Sequence, residues 1–278
     1  MARITLIRRR VADAPFGFSA YARLLEEAAT TASAQAGYPP QWYAEQATAW
    51  VIRRSTIECP QPLETGCELE ISTWVADFRR VRSRREYVAR AAGTDTVVLS
   101  AHTDWVYVDR AGGRPRRIPE EMMLAFVPAG AIATLPRPAL ELPQAPADAR
   151  TITRDVHPAD VDALDHVNNA KYFDYVEQSA LAVVGAGFRP CRHDLEYVAE
   201  ARRGDRLVCR SWRHTGAGAE LEVATEIHRA RDGTRLTRSR SIWTSRPDWA
   251  DAGCGGDRDT VGRRTWCGSR PPVRKYEQ

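Results

Sequence analysis

Apolar residues recur at helical spacing in two well-separated parts of the chain. The two stripes consist of Tyr21, Leu24, Leu25, Ala28 and Ala32, and of Tyr172, Val176, Ala180, Val183 and Val184. Intervals of three and four residues place such side chains on one face of a helix. The pattern therefore predicts one long amphipathic helix in each half of the chain.

Alternating apolar and polar residues follow each predicted helix. The clearest runs are Leu69, Ile71, Thr73 and Val75, and later Leu221, Val223, Thr225 and Ile227. Turn-forming sequence surrounds Gly93, Gly216 and Gly233. We predict antiparallel strands with a helix covering one face of each sheet, which is an α+β architecture.

The order of these landmarks repeats once along the chain. The matching residues are Gly66, Trp74 and Trp105 in the first copy, and Gly204, Trp212 and Trp243 in the second. In both copies the glycine lies 8 positions before the first Trp, and the second Trp lies 31 positions after it. We infer two tandem strand–helix–four-strand repeats whose antiparallel sheets join side by side, an architecture called a double hotdog.

The repeats and the composition between them predict four regions. An N-terminal repeat covers 1–111, a linker rich in Pro and Ala covers 112–150, and a C-terminal repeat covers 151–246. The remaining residues, 247–278, have no apolar period and are predicted to be a disordered tail.

The overall composition is that of a globular protein, with 43% hydrophobic residues and a net charge of +4. No run reaches the roughly 20 apolar residues that cross a bilayer, and the N-terminus lacks the charge order of a secretory signal. We therefore expect a cytoplasmic protein that binds no membrane. The six cysteines form no CxxC pair, which favours reduced thiols, and the aromatic residues do not interleave with the basic ones as nucleic-acid binding requires.

A cluster of polar residues lies just before the second predicted helix. It consists of Asp162, Asp165, His166, Asn168 and Asn169. One interpretation is structural, with Asn168 or Asp165 capping the helix. The other is chemical, because N–H groups at a helix start can stabilise an oxyanion while a nearby carboxylate attacks a carbonyl or activates water. Such a reaction requires no metal or other cofactor.

This cluster is part of a longer motif, DxDxxxHVNNxxYxxYxE, which spans Asp160 to Glu177. The motif resembles the signature of the acyl-acyl carrier protein thioesterases within the hotdog thioesterases. The segments WVIRRSTIECPQPLETGCELEISTW, RREY and DWVYVDRAGGRPRRIPEE resemble the first half of that family. The resemblance spans residues 45–246.

The resemblance implies a role for each matching residue. Asp162 matches the catalytic carboxylate, while His166, Asn168 and Asn169 match the other catalytic positions of the motif. Glu200 matches a glutamate that holds or activates water. In the same motif, Tyr172 is expected to contact the substrate.

Two positions depart from the plant enzymes of the family. Leu164 replaces an Asn, and Ala201 replaces a Cys. A cysteine nucleophile beside Glu200 is therefore excluded. The attack on the thioester then depends on Asp162, either directly or through a water molecule.

The resemblance also implies an acyl carrier protein or acyl-CoA as the substrate. Because the carrier protein is acidic, we expect the basic run containing Arg82, Arg84 and Arg85 to bind it, although such a run can also be a solvated strand edge. Before the first helix only Asp13 is acidic, so we expect one site per chain near the interface of the repeats. We expect a monomer or a homodimer of double hotdogs.

Hydrolysis of acyl thioesters is the function that these features favour. Two alternatives remain open at this point. One is a hotdog dehydratase acting on 3-hydroxyacyl thioesters, and the other is a non-catalytic module that binds acyl groups or a carrier protein.

Overall fold

The computed structural model describes residues 5–10, 17–60, 68–126, 139–162, 165–215 and 219–245. The predicted tail at 247–278 lies outside these residues, as do Asp13 and Leu164. Within the described part of the chain, no helix is long and apolar enough to cross a membrane.

The described residues of the first half of the chain form five strands and three helices. These are β1 (Thr5–Arg10), α1 (Phe18–Gln35), α2 (Pro40–Glu45), β2 (Thr48–Glu58), β3 (Glu68–Arg79), β4 (Arg82–Ala91), β5 (Val97–Asp109) and α3 (Glu120–Phe126). Helix α1 buries Tyr21, Leu25, Ala28 and Ala32 of the predicted stripe. Helices α2 and α3 are additions to the predicted plan of one helix per repeat, and α3 lies within 112–150.

In the second half, the part of the chain that the structure describes forms five strands and one long helix. These are β6 (Arg150–Asp155), α4 (Lys171–Val184), β7 (Phe188–Tyr197), β8 (Arg206–Thr215), β9 (Glu220–Arg229) and β10 (Arg235–Ser245). A single 3₁₀ turn at Pro158–Asp160 precedes the polar cluster. Helix α4 buries Tyr172, Val176, Ala180 and Val184, as its stripe predicts.

The strands form one ten-stranded antiparallel sheet, in the order β1-β3-β4-β5-β2-β7-β10-β9-β8-β6. Both halves use the same internal order, because β1-β3-β4-β5-β2 corresponds to β6-β8-β9-β10-β7 read from the other edge. The sheet with its helices agrees with the predicted α+β class.

The two halves join at strands β2 and β7. Five residue pairs are in register there, from Arg54 opposite Glu196 to Glu58 opposite Arg192. Arg54 crosses the joint through its guanidinium, whose Nε lies 2.6 Å from Oδ1 of the buried Asp194. A buried charge is tolerated only with such a partner, so this ion pair fixes how the halves meet.

The main core lies between the sheet and the two long helices. Side chains from both halves share it, and Phe18 at the start of α1 stacks on Phe173 of α4 with ring centroids 6.5 Å apart. A smaller core forms where α3 packs on the first half through Met122 and Phe126. The region between the repeats therefore contributes to the first half as well as connecting the two.

Candidate active site

The polar loop before α4 folds back on itself as a tight turn. The N–H of Asp162 donates to the carbonyl of His166 at 2.8 Å, and the N–H of Asp165 donates to the carbonyl of Asp162 at 3.1 Å. Asp165 has a left-handed φ of 60°, which Asp tolerates better than most residues. The turn holds Asp162 at the protein surface beside His166.

Asn168 organises the connection from this turn into the helix. Its Oδ1 accepts the N–H of Ala170 at 2.9 Å, and its backbone carbonyl accepts the N–H of Lys171 at 2.9 Å. Asp165 instead pairs with Arg203, with 3.0 Å between Oδ1 and Nε. Of the two residues predicted as caps, only Asn168 therefore supports the helix start, and it does so two residues before the N-cap position, Ala170.

His166 and Glu200 lie together beside the turn. Nε2 of His166 is 3.2 Å from Oε2 of Glu200, and Glu200 also accepts from Nε of Arg202 at 3.0 Å. The backbone around Glu200 is held against the motif by the N–H of Val167, which donates to the carbonyl of Ala201 at 2.9 Å. The structure thus brings together residues that are far apart in the sequence.

Tyr172 lies in the core rather than on a cavity wall. It is 2% exposed, its hydroxyl accepts the N–H of Ala201 at 3.0 Å, and burial raises its pKa to about 12. This position corrects the expectation that Tyr172 contacts substrate. Its role is to hold the segment around Glu200 against α4.

Asn169 is tied to strand β7, because its carbonyl accepts the hydroxyl of Tyr197 at 3.0 Å. It also lines a water-sized cavity of about 10 Å³ together with Glu26 and Trp105. Asn169 therefore borders both the second-half motif and the first-half wall of this cavity.

Glu26 is the site residue that the sequence did not reveal. It lies on α1, is half-buried, and lines the same small cavity as Asn169. Burial raises its pKa, and the nearby carboxylate of Asp162 raises it further. Its only signal in the sequence is an acid directly after Leu25 of the apolar stripe, which is common in amphipathic helices.

A cavity of about 350 Å³ opens beside Glu26 within the first half. Its walls come from α1, α2, the first-half strands and α3, and its aromatic lining residues are Tyr38, Tyr43, Trp50, Phe78, Trp105 and Phe126. A largely apolar space of this size accommodates a small organic group. Since Glu26 lines both this cavity and the small one that Asn169 borders, the cavity adjoins the motif.

The predicted basic run is divided between the surface and the interior. Arg82 is exposed, but Arg84 and Arg85 are each only 7% exposed. Arg84 is paired with the buried Glu86, and Arg85 lines the cavity. The expectation that all three arginines bind a carrier protein is therefore wrong for Arg84 and Arg85. Successive side chains point to opposite faces of a strand. On one face Arg85 lines the cavity, and on the other Arg84 contacts its buried partner Glu86.

A second buried acid lies between the two helices. Oε1 of Glu177 accepts the N–H of Phe18 at 2.9 Å and lies 3.5 Å from Nε2 of His193. Burial raises the pKa of Glu177 to about 7 and lowers the pKa of His193 to about 3. Both side chains are therefore neutral in the folded protein at pH values between these two.

Among the described residues, no three His, Cys, Asp or Glu side chains are arranged to hold a metal ion. Cys191 and Cys209 are free thiols. The groups assembled beside the cavity are carboxylates, an imidazole, amides and the start of a helix.

Two family models match the chain. Residues 16–126 match the acyl-ACP thioesterase N-terminal domain, and residues 145–245 match the acyl-ACP thioesterase C-terminal domain. The second match includes the polar loop, α4 and Glu200, while the first includes Glu26 and the cavity.

Curated relatives come from plants. An acyl-[acyl-carrier-protein] hydrolase of Cuphea viscosissima is 26% identical over 74% of this chain and 51% of its own length. A palmitoyl-acyl carrier protein thioesterase of Arabidopsis thaliana is 25% identical over 71% of this chain and 50% of its own length. The chain spans about half the length of these relatives.

Solved structures share the fold. A 12:0-ACP thioesterase from Umbellularia californica superposes with a TM-score of 0.74 at 19% identity, over 87% of this chain and 94% of that one. An acyl-ACP thioesterase from Bacteroides thetaiotaomicron gives 0.72 at 18% identity, over 86% and 97%. Together with the matches to both domain models, these likenesses show that the chain belongs to the acyl-ACP thioesterase family and has its hotdog fold.

Proposed function

We propose that this protein hydrolyses acyl thioesters and releases a carboxylic acid from an acyl carrier protein. One observation carries the proposal: Glu26 lines a cavity large enough for an acyl group and also lines the small cavity bordered by Asn169 of the motif that contains Asp162. The family membership supports the same reaction.

In the proposed reaction, Asp162 acts on the thioester carbonyl at the start of α4. By one route it accepts a proton from water while the water oxygen bonds to the carbonyl carbon. By the other, its own oxygen forms that bond and water later cleaves the resulting anhydride. In both routes the C–S bond breaks, the carrier leaves as a thiol, and the acid is released.

The other site residues assist at different points. N–H groups at the start of α4 other than the two that donate to Asn168 stabilise the oxyanion, because a helix start carries donors that the helix leaves unpaired and partial positive charge. His166 and Glu200 hold water or the leaving thiol on the solvent side. Asn168 and Asn169 fix the turn and border the cavity.

The domain assignment is part of the proposal. Two hotdog repeats, 1–111 and 151–246, form a double hotdog, with 112–150 running between them. The shared strand order of the two halves and their joint at β2 and β7 support this. The joint supplies within one chain the sheet pairing that single hotdogs obtain by dimerising, so a monomer suffices for a complete site.

For the carrier protein we propose a smaller docking surface than the sequence suggested. Arg79, Arg80 and Arg82 are exposed at the turn between β3 and β4. Three cations on one turn attract an acidic partner and increase its rate of encounter. The same turn borders α3 through the N–H of Ile118, which donates to the carbonyl of Arg80 at 2.8 Å.

The test is to incubate the purified protein with acyl-carrier-protein and acyl-CoA thioesters while measuring free thiol and free acid. Hydrolysis predicts that both products appear in equal amounts. Conversion of a 3-hydroxyacyl thioester to the enoyl thioester without thiol release would indicate a dehydratase. Binding without any turnover would indicate a non-catalytic module, and either outcome would contradict the proposal.

A further inference from the structure

The motif begins with an acid that the proposed chemistry does not use. Asp160 lies two positions before Asp162 and ends the 3₁₀ turn at Pro158–Asp160. It is only 6% exposed. A carboxylate is normally buried in a protein only where polar groups compensate for the lost water, so the partners of Asp160 indicate what it does.

The carboxylate of Asp160 connects the loop to helix α4. Its Oδ2 accepts the hydroxyl of Tyr175 at 2.8 Å and the N–H of His157 at 3.1 Å, and its Oδ1 lies 3.5 Å from Nζ of Lys171. Burial opposes the ionisation of Asp160, but these hydrogen bonds and the charge of Lys171 outweigh burial and lower its pKa. The carboxylate is therefore charged at neutral pH, and hydrogen bonds to a charged acceptor are stronger than neutral ones.

The backbone of Asp160 forms the base of the loop that carries Asp162. Its carbonyl accepts the N–H of Asn168 at 2.9 Å, and further along the loop the N–H of Asp162 donates to the carbonyl of His166 at 2.8 Å. The two sides of the loop are thus hydrogen-bonded to each other, with Asp160 and Asn168 at the base. A displacement of Asp160 would therefore move Asp162 and His166 as well.

Tyr175 is a fixed point for this attachment. It is 1% exposed on α4, and the guanidinium carbon of Arg154, on β6, lies 3.8 Å from the centroid of its ring. Arg154 is held in turn by Gln178, whose Oε1 accepts from Nη1 of Arg154 at 2.9 Å. Because the ring is enclosed in this way, its hydroxyl is held against Asp160.

We propose that Asp160 and Tyr175 are positioning residues that set the place of Asp162 relative to the start of α4. The inference rests on the proposed thioesterase function. In that reaction the attacking carboxylate belongs to the loop, whereas the N–H groups that stabilise the oxyanion belong to the helix. A displacement of about 1 Å between such groups can cost about 100-fold in rate. The hydrogen bond between Asp160 and Tyr175 joins the loop and the helix directly.

The experiment measures kcat and KM separately for the wild type, Tyr175→Phe, Asp160→Ala and the double variant, with an acyl carrier protein thioester as substrate. Rates are expressed per folded protein, so that a loss of stability alone leaves kcat unchanged. Tyr175→Phe removes only the hydroxyl that Asp160 accepts, and it should lower kcat about tenfold while KM stays within about threefold of wild type. The double variant should be no slower than Asp160→Ala, because without Asp160 the hydroxyl has nothing to hold.

Tyr107→Phe is the matched control. Tyr107 is also buried, and its hydroxyl donates to Oγ1 of Thr48 at 2.9 Å in the first half of the chain. Its removal costs a buried hydrogen bond of the same kind, but kcat per folded protein should stay at the wild-type value.

A kcat for Tyr175→Phe within about twofold of wild type, or a fall of equal size in Tyr107→Phe, would overturn the inference while leaving thioester hydrolysis intact. So would a double variant whose loss is the product of the two single losses. If the wild type hydrolyses no thioester, the proposed function fails, and the inference fails with it. Should Tyr175→Phe not fold, Lys171→Met decides, because it removes the other contact from α4 to Asp160. Its kcat should fall about threefold or more at unchanged KM, and an unchanged kcat would overturn the inference.

Discussion

Glu26, in the first half of the chain, and Asn169, in the second half, line the same cavity of about 10 Å³. Asn168, the residue before Asn169, accepts the N–H of Ala170 at the start of α4 through its Oδ1 at 2.9 Å. The cavity wall of the first repeat is thus connected to the helix start of the second. This connection makes Glu26 a positioning residue in the proposed site.

The first prediction concerns the pH dependence that Glu26 gives to the reaction. Burial and the charge of Asp162 raise the pKa of Glu26, so its carboxylate takes up a proton at a higher pH than an ordinary glutamate does. We expect the wild-type kcat/KM to change as the pH falls through that raised pKa, and Glu26→Gln to lack this inflection. Glu26→Ala, which also removes the carboxyl group from the cavity wall, should lose about tenfold in rate at neutral pH. Identical pH–rate profiles for the wild-type and the Gln variant would contradict this role.

A second prediction concerns Glu177 and stability. Its folded pKa of about 7 exceeds the usual 4.5. Its contribution to the free energy of unfolding is therefore present at low pH and is lost as the pH rises through 7. Glu177→Gln keeps an acceptor for the N–H of Phe18 without the buried charge. The variant should therefore be more stable than wild type at pH 8, on the order of 2 kcal/mol.

His193 affects the free energy of unfolding with the opposite pH dependence, since its folded pKa of about 3 lies below the usual 6.5 for a histidine. Its contribution is present above pH 6.5 and is lost as the pH falls. Urea unfolding of Glu177→Gln should therefore show stability decreasing only toward acid, while in the wild type the two effects offset each other between about pH 4.5 and 6.5. Glu220→Gln, at an exposed position, serves as the control. A Glu177→Gln variant that is less stable than the wild type at pH 8 would contradict the prediction.

A third prediction tests the joint between the halves. Arg54→Met leaves the carboxylate of Asp194 buried without its cation, which typically costs about 3–5 kcal/mol. The double variant Arg54→Met with Asp194→Leu removes both charges and should recover most of that loss. Equal destabilisation in chemical denaturation by the single and double variants would mean that the charges themselves are unimportant.

The fourth prediction separates the carrier protein from the acyl group. Reversing the charge of the exposed Arg80 and Arg82 should raise the KM for a carrier-bound substrate, with little effect on acyl-CoA. The defect should shrink as salt increases, because exposed charges are screened. If both substrates are impaired equally at all salt concentrations, the turn does not dock the carrier.

The sequence predicted those parts of the fold that a periodic pattern specifies. The stripe containing Tyr21 and Leu25 and the stripe containing Tyr172 and Val176 became the buried faces of α1 and α4. The Pro- and Ala-rich region concealed α3, since a helix of seven residues is too short for its periodicity to be distinct. Its burial depends on contacts with distant strands.

The candidate site was predictable only where a sequence motif marks it, as in the loop before α4 and at Glu200. Asp162, His166 and Asn168 lie within one loop, and the motif identified them together. Glu26 required three-dimensional information, because nothing in its local sequence differs from a solvent-facing helix position. Arg85 was misread because a run of arginines has the same composition whether it faces solvent or lines a cavity.

Hydrolysis by the Asp162→Asn variant tests the central claim most directly. Asparagine is nearly isosteric with aspartate but can neither attack the thioester nor accept a proton from water. Asp165→Asn, in the same turn and paired with Arg203, is the matched control. The account predicts that Asp162→Asn folds normally and releases free thiol from an acyl carrier protein thioester about 10² to 10⁴ times more slowly, while Asp165→Asn stays within a few-fold of wild type. A rate for Asp162→Asn within a few-fold of wild type would contradict the assignment of Asp162 as the catalytic carboxylate.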